Sequence, residues 1–469
     1  MTSELLEGVF DIVRRHFKAQ RDGKVREWRT VEQVTEALDV AVRDEGMDPA
    51  SILESIDVYL KECVKTQHPN FLQPLWGGLS ETGFAGEVAT ILANTSIYTW
   101  ELAPAATIVE QELVRAMCAQ AGWSDGEGTF TSGGSNANML AMMLARDRMF
   151  PDAMQTGVDG TALALFVSAE SHYSLLMSGH VLGIGSEGVV KVATDHHGRM
   201  DPEALRAAIE ATDRVPFCVV ATAGTTVRGA FDPIEPIADL CDEYGLWLHI
   251  DAALGAPCLF SPELDHLIAG LVRADSLTWD PHKLMGVPLT CSTLLTPHKG
   301  ALAATCSYVK SAHYLFHEPG EDYDLGRTSL QCGRRVDALK LWIEWKSVGT
   351  DGWRERVERY VALAAQLEWM IESDENLELC SPRAFTNVCF RWLEPGLEGD
   401  ALNEFNEAIR GEMIKRGNVM VSLALVDGKA ILRPVICNPS VDENSLVALL
   451  DEVRIVALDI RSNRVDNTP

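Results

Sequence analysis

Between residues 100 and 300, short apolar runs alternate with longer stretches in which apolar residues recur every three or four positions. The runs are ALALFVSAE (162–170), PFCVVATAG (216–224), LWLHIDAAL (246–254) and DSLTWD (275–280). Strands that are apolar on both faces and separated by amphipathic helices predict a largely parallel sheet covered on both sides. Between the second and third runs, Ile234, Ile237, Ala238 and Cys241 mark a helix that Asp232-Pro233 should cap and Gly245 should end. Residues 1–70 read as helical. Asp48 and Pro49 open one helix, with Ile52, Ile56, Tyr59, Leu60 and Cys63 along a single face. One such face cannot form a core alone, so it should pack on the body or on a second subunit. From about residue 330 the pattern changes again. The long helical stretch VDALKLWIEWKSVG (336–349) leads into shorter mixed segments, as in a smaller α/β domain.

Charge and composition narrow the function. The 469 residues carry 40 basic and 68 acidic side chains, a formal net charge of −28. That balance argues against a nucleic-acid binder or a protein docked on anionic lipid, both of which rely on Lys and Arg. With 46% hydrophobic residues the chain can bury a sizeable core. Its eleven cysteines include no C-x-x-C pair, which disfavours a disulfide framework or structural zinc and fits a reducing compartment. The opening MTSELLEGVFDIVRRHF has acidic residues where a signal peptide needs basic ones, and no apolar stretch approaches the ~20 residues of a membrane helix. A cytoplasmic location is expected.

Two glycine motifs differ in context. Gly183-Ile-Gly-Ser-Glu-Gly188 has the spacing of a dinucleotide fingerprint, but a helical stretch precedes it and a strand follows, so it reads as a turn. Ser132-Gly133-Gly134-Ser135-Asn136-Ala137-Asn138 stands directly before a helix, where free N–H groups and a hydroxyl suit a phosphate as well as an ordinary cap.

His249 and Asp251 close one apolar run, and Asp280, His282 and Lys283 follow another. Asp251 among Ile250, Ala252 and Ala253 would be a costly buried carboxylate unless it met a cation. Singly, these residues could be a surface lysine, a satisfied core histidine and a capping aspartate. A metal held by His249, Asp251, Asp280 and His282 would leave Lys283 repelled. A protonated pyridine accounts for the set: Asp251 would hold the ring nitrogen protonated, Lys283 would bond the ring aldehyde, and the Gly/Ser turn would take a phosphate. The implied cofactor is pyridoxal 5′-phosphate.

With these residues in place the chain resembles group II pyridoxal-phosphate decarboxylases, and among them most resembles the glutamate and cysteine-sulfinate decarboxylase branch. The likeness rests on Ser171-His-Tyr-Ser174, Ala223-Gly-Thr-Thr226, His249-Ile-Asp-Ala-Ala253, Asp280-Pro-His-Lys283 and Gln331-Cys-Gly-Arg-Arg-Val-Asp337. Asn94–Pro104, Gly229–Pro233 and Leu432–Pro439 extend it over nearly the whole chain. The resemblance implies a fold-type-I architecture, with a seven-stranded mostly parallel sheet in a large domain. It also implies a homodimer whose active sites are shared between subunits. The expected division is a helical dimerisation segment (1–95), a large cofactor-binding domain (96–335) and a C-terminal small domain (336–469).

By position, the resemblance makes Lys283 the covalent anchor and Asp251 the partner of the pyridine nitrogen. It stacks His172 on the ring, puts Gly134 and Ser135 with Asp280 or His282 around the phosphate, Thr226 near the ring hydroxyl and Ala253 beneath the ring. Tyr98 would enter from the partner subunit, and Arg433 would hold a substrate carboxylate. Three departures stand out. Pro74 and Trp76 replace a Gln and a small hydroxyl residue of the glutamate enzymes, which should shrink the pocket. Asp280 replaces the usual Asn, so it must be protonated, turned away or paired. The catalytic loop, about His317–Gly326, is shorter, with Tyr323 as its candidate tyrosine.

The expected reaction is α-decarboxylation of an amino acid to CO2 and a primary amine, with aspartate, cysteine sulfinate or glutamate as substrate. An aromatic or branched apolar substrate and an oxygen-dependent, aldehyde-forming reaction are the alternatives within this cofactor class. A metal-dependent hydrolase and a catalytically silent cofactor-binding protein are the alternatives outside it.

Overall fold

A computed structural model describes residues 2–307, 315–316 and 323–466, and divides the chain into two compact units. The larger comprises Leu79–Ala362 and Pro382–Asn387. Its sheet is built from β1 (Glu127–Thr131), β2 (Leu163–Ser168), β3 (Val189–Val192), β4 (Val215–Thr222), β5 (Trp247–Asp251), β6 (Ser276–Trp279) and β7 (Ser292–Thr296), in the order β1-β7-β6-β5-β4-β2-β3. Strands β3, β2, β4, β5 and β6 run parallel, while β7 lies antiparallel to both β6 and β1. Every residue of β2 and β5 is buried, as expected of strands covered on both faces. The helix Gly134–Met149 seats Ala137, Leu140, Ala141 and Leu144 in a cluster with Leu165, Phe217, Val220 and Trp247. Parallel strands place their carboxyl ends on one edge, where ligands bind in sheets of this kind.

Two local expectations need comment. The glycines of the 183–188 motif do form a turn: Gly183 and Gly185 have φ of 75° and 77°, between the helix Ser174–Val181 and β3. Asp232, however, does not cap the helix Ile234–Tyr244. Its Oδ1 accepts the Met200 N–H at 2.6 Å and its Oδ2 the Thr222 N–H at 2.7 Å, so both oxygens are committed elsewhere. Asp48, by contrast, accepts N–H bonds from Ala50 and Ser51 as a cap should.

The smaller unit joins residues 1–78 to Leu363–Ser381 and Val388–Pro469. Its antiparallel sheet contains β8 (Leu377–Leu379), β9 (Phe390–Trp392), β10 (Ser422–Val426) and β11 (Lys429–Arg433) in the order β10-β11-β9-β8. The amino-terminal residues are tied in by backbone bonds: Val25 N–H to Gly417 O (2.9 Å), Leu72 N–H to Met420 O (3.0 Å) and Val435 N–H to Leu72 O (3.1 Å). These units differ from the three segments expected from pattern. Residues 1–78 belong with the C-terminal part through contacts far apart in sequence, and residues 336–362 belong to the larger unit. The change at residue 336 marks only the start of a long helical stretch, Ala338–Glu372, broken at Gly349 (φ 71°).

Candidate active site

The site forms where β1, β2, β4, β5 and β6 end. β1 runs into Gly133, whose φ of 149° favours glycine, and the helix Gly134–Met149 begins there without a side-chain cap. Ser135 is exposed in its first turn. An uncapped helix start of this length, with a hydroxyl beside it, is a ready anion site. Asp251 is the last residue of β5 and is only 4% exposed. Its Oδ1 accepts the Ala253 N–H at 3.1 Å, and its Oδ2 accepts from Asn138 Nδ2 at 2.8 Å. Both partners are donors, so the carboxylate presents acceptor capacity only.

The turn after β6 carries Asp280, His282 and Lys283. The Lys283 N–H donates to the Asp280 carbonyl at 2.9 Å, closing the turn. Lys283 Nζ lies 3.4 Å from Asp280 Oδ2, and Ser292 Oγ donates to Asp280 Oδ1 at 2.5 Å. Of the alternatives the sequence leaves for Asp280, the structure shows the paired one. Gly134 fits against this carboxylate closely: a Cβ there would fall 2.6 Å from Asp280 Oδ2. His282 Nε2 is 3.7 Å from the same oxygen, while its Nδ1 faces the backbone of Cys291. Burial pushes the His282 pKa down, against the pull of Asp280, and keeps the ring neutral.

His172, after β2, is half-buried, accepts the Ser174 N–H at 3.3 Å through Nδ1 and packs on Tyr173 with ring centroids 4.4 Å apart. Burial lowers its pKa; the charges of Asp251 and Asp280 oppose this and that of Lys283 adds to it. All three are therefore near enough to His172 to act on it. Thr226 follows β4, with its carbonyl held by Asn387 Nδ2 at 3.1 Å. Tyr98 lies in a segment strapped at both ends: Ile97 N–H donates to Arg334 O at 3.0 Å, and Trp100 N–H to Asp324 Oδ1 at 2.8 Å. Arg334 is itself held by a bidentate, buried pair with Glu110, at 2.7 and 2.8 Å.

Tyr323 is exposed, with its ring against Trp100 at 5.1 Å; residues 317–322 of the expected loop lie outside the described residues. Pro74, Trp76 and Arg433 belong to the smaller unit. Trp76 packs on Phe71 beside Val25 and Met420, and Arg433 ends β11 as a buried guanidinium whose pKa burial lowers. The two nitrogens of His249 are occupied by Ser276 Oγ (2.8 Å) and Asn138 Oδ1 (3.0 Å). Among the described residues no group of three or more His, Cys, Asp or Glu is arranged to hold a metal ion.

Asn138, Ser276, Thr278 and Ser292 were not singled out from sequence. For Ser276 and Thr278 the signal was a polar residue at every second position of an apolar run, in step with His249 and Asp251 on the neighbouring strand.

A buried carboxylate at the end of β5, a lysine in the turn after β6 and an uncapped helix start fit the pyridinium, aldehyde and phosphate of pyridoxal 5′-phosphate, and so define a fold-type-I enzyme of that cofactor. The comparisons agree. Residues 32–393 match the pyridoxal-dependent decarboxylase conserved domain. The chain is 39% identical to human acidic amino acid decarboxylase GADL1 over 93% of this chain and 87% of that one. It is also 39% identical to mouse cysteine sulfinic acid decarboxylase, over 93% and 92%. The crystal structure of mouse CSAD superposes with a TM-score of 0.93 at 36% identity, covering 97% of this chain and 99% of that chain. The chain belongs to the pyridoxal-dependent decarboxylase family and is a carboxy-lyase.

Proposed function

We propose that this enzyme removes the α-carboxyl group of a small acidic L-amino acid (aspartate, cysteine sulfinate or glutamate), releasing CO2 and a primary amine. The observation that carries the substrate class is the 39% identity, across nearly the full length of each chain, to two decarboxylases named for acidic substrates. Bound cofactor supplies an electron sink for the pair left behind as CO2 departs. The chain's residues would do the rest. Lys283 anchors the cofactor aldehyde, Gly134 and Ser135 at the helix start hold its phosphate with His282 and Asp280 nearby, and Thr226 and Ala253 frame the ring. Asp251 keeps a proton on the pyridine nitrogen, and His172 covers the ring as a neutral imidazole. Arg433 binds a substrate carboxylate, while Pro74 and Trp76 limit the length of the side chain accepted. The proton delivered to the product carbon comes from Tyr323 Oη or from a ring nitrogen of His172.

The working form in this reading is a cytoplasmic homodimer, with Tyr98 contributed across the interface. Its eleven cysteines are all free thiols, as a reducing compartment requires. The test is an amino-acid panel scored for CO2 release by purified enzyme. Aspartate or cysteine sulfinate should lead and aromatic amino acids should be inert. Preferential turnover of an aromatic substrate, or aldehyde and peroxide in place of amine, would overturn the proposal.

A further inference from the structure

Behind Asp251 lies a buried chain of polar groups for which the roles assigned so far give no reason. Trp247 Nε1, which can only donate, gives its proton to Ser276 Oγ at 2.8 Å. The Ser276 hydroxyl proton is then available for His249 Nδ1, also at 2.8 Å. The Asn138 NH2 group is taken by Asp251 Oδ2, so Asn138 Oδ1 faces His249 Nε2 at 3.0 Å and, being an acceptor, requires the hydrogen to sit on that nitrogen. Thr278 Oγ1 donates to the same oxygen at 2.7 Å. With both lone pairs of its carbonyl used, Asn138 can only point its NH2 group the other way, to Asp251 Oδ2 at 2.8 Å and Ser174 Oγ at 3.3 Å. Every member from Trp247 to Asp251 is buried. In such surroundings an amide turned the wrong way would set a carbonyl against a carboxylate, and the chain of donors forbids it.

We infer that Asn138 and His249 are positioning residues for the cofactor ring: the Trp247–Ser276–His249–Asn138 chain holds a donor on Asp251, keeping that carboxylate ionised so that the shared proton resides on the pyridine nitrogen. The inference rests on the reading of Asp251 as the ring's partner. The physical balance is between an ion pair, carboxylate with pyridinium, and a neutral pair in which the carboxyl holds the proton. A donor to the carboxylate stabilises the first arrangement and does nothing for the second. Burial, which pushes the His249 pKa down to about 4 against the charge of Asp251, keeps the imidazole neutral and so able to accept from Ser276 while donating to Asn138.

The test uses full-length holoenzyme carrying cofactor labelled at the ring nitrogen, read by nitrogen NMR. Wild type should show a protonated ring nitrogen. Asn138→Leu and His249→Leu should move the signal toward the unprotonated position and cut kcat roughly tenfold or more, the scale of a lost hydrogen bond to a charged group. His249→Gln, which retains an N–H for Asn138, should keep the wild-type signal. Reconstitution with the N-methylated cofactor, whose ring charge needs no proton, should restore turnover in the Leu variants, which a merely structural defect would not allow. If Asn138→Leu does not fold, the Leu and Gln variants of His249 decide the question alone. Asp251→Ala separates the two levels. A protonated ring in that variant sinks the reading of Asp251 itself. A ring unprotonated in Asp251→Ala but still protonated in the Leu variants of Asn138 and His249 sinks only the role of the chain behind it.

Discussion

Gly134 stands where the uncapped helix start meets Asp280, the carboxylate paired with Lys283, and replacing it with alanine probes that fit directly. A Cβ would sit 2.6 Å from Oδ2 and 3.1 Å from Oδ1 of Asp280, whereas ordinary contact begins at 3.4 Å. Oδ2 must therefore retreat by about 0.8 Å, the difference between 3.4 and 2.6 Å. Asp280 is buried, bonded to Ser292 through Oδ1 and paired with Lys283 through Oδ2, so a shift of that size draws it off at least one partner. Losing a hydrogen bond to a charged group costs ~1.5–3 kcal/mol, which corresponds to roughly ten- to hundredfold in cofactor affinity. Titrating the cofactor into protein stripped of it, followed by visible absorbance and by thermal melting, measures the effect. Adding Asp280→Ala in the same chain removes the clashing oxygens, so the double variant should lose less than the two single losses combined. A Gly134→Ala protein that bound cofactor within about twofold of wild type and melted at the same temperature would refute the geometry, since it lies below the expected range.

Other consequences are equally open to measurement. Lys283→Ala should fail to retain the cofactor's visible absorbance through dialysis and should release no CO2; normal turnover in that variant would remove Lys283 from the reaction. Glu110→Gln leaves Arg334 buried with a neutral partner and should lower stability by ~3–5 kcal/mol in urea titration, and a loss under about 1 kcal/mol would contradict the buried pair. The folded pKa of His249, about 4, lies below the unfolded value of 6.5, so the unfolded chain takes up its proton first as pH falls. Its contribution is intact above pH 6.5 and is lost between there and about 4, ~3 kcal/mol in all, and a stability difference between wild type and His249→Gln that is equal at pH 7 and pH 4.5 would contradict it. Asp232 works in the opposite sense: burial raises its pKa from 3.8 to about 7, against the Met200 and Thr222 N–H groups, so stability is lost as pH rises through that range. Asp232→Asn should remove this slope between pH 3.8 and about 7, and an unchanged slope there would argue against the shift.

Much of this molecule is legible in its sequence. The parallel strands announced themselves because β2 and β5 are buried on both faces, and the polar residues at their ends stood out against that background. Lys283 and Asp251 could be read because a lysine and a carboxylate beside apolar strands demand a chemical explanation. Asn138 could not, since an asparagine in the second turn of a helix looks like any other until β5 and β6 bring His249 and Thr278 onto it. Asp232-Pro233 and Asp48-Pro49 are locally indistinguishable, and what separates them is that the first has Met200 and Thr222 amides to satisfy. The division into units was hidden for a related reason: the bonds from Val25 and Leu72 to residues 417–420 cross more than three hundred positions of chain.

The buried polar chain also bears on how the sheet finds its alignment. His249 lies opposite Ser276, and Asp251 opposite Thr278, in the parallel pairing of β5 with β6. Because strand side chains alternate, slipping β6 by one residue would turn Ser276 and Thr278 to the opposite face and bring Leu277 toward Asn138. His249, Asn138 and the two hydroxyls would then be buried without partners, at ~1–3 kcal/mol for each unsatisfied group. An apolar pair of strands tolerates such slips cheaply; these two do not. His249, Asn138, Ser276 and Thr278 therefore also reject misaligned sheets during folding, and a chain that has paired β5 and β6 wrongly has by the same act stripped Asp251 of its Asn138 partner.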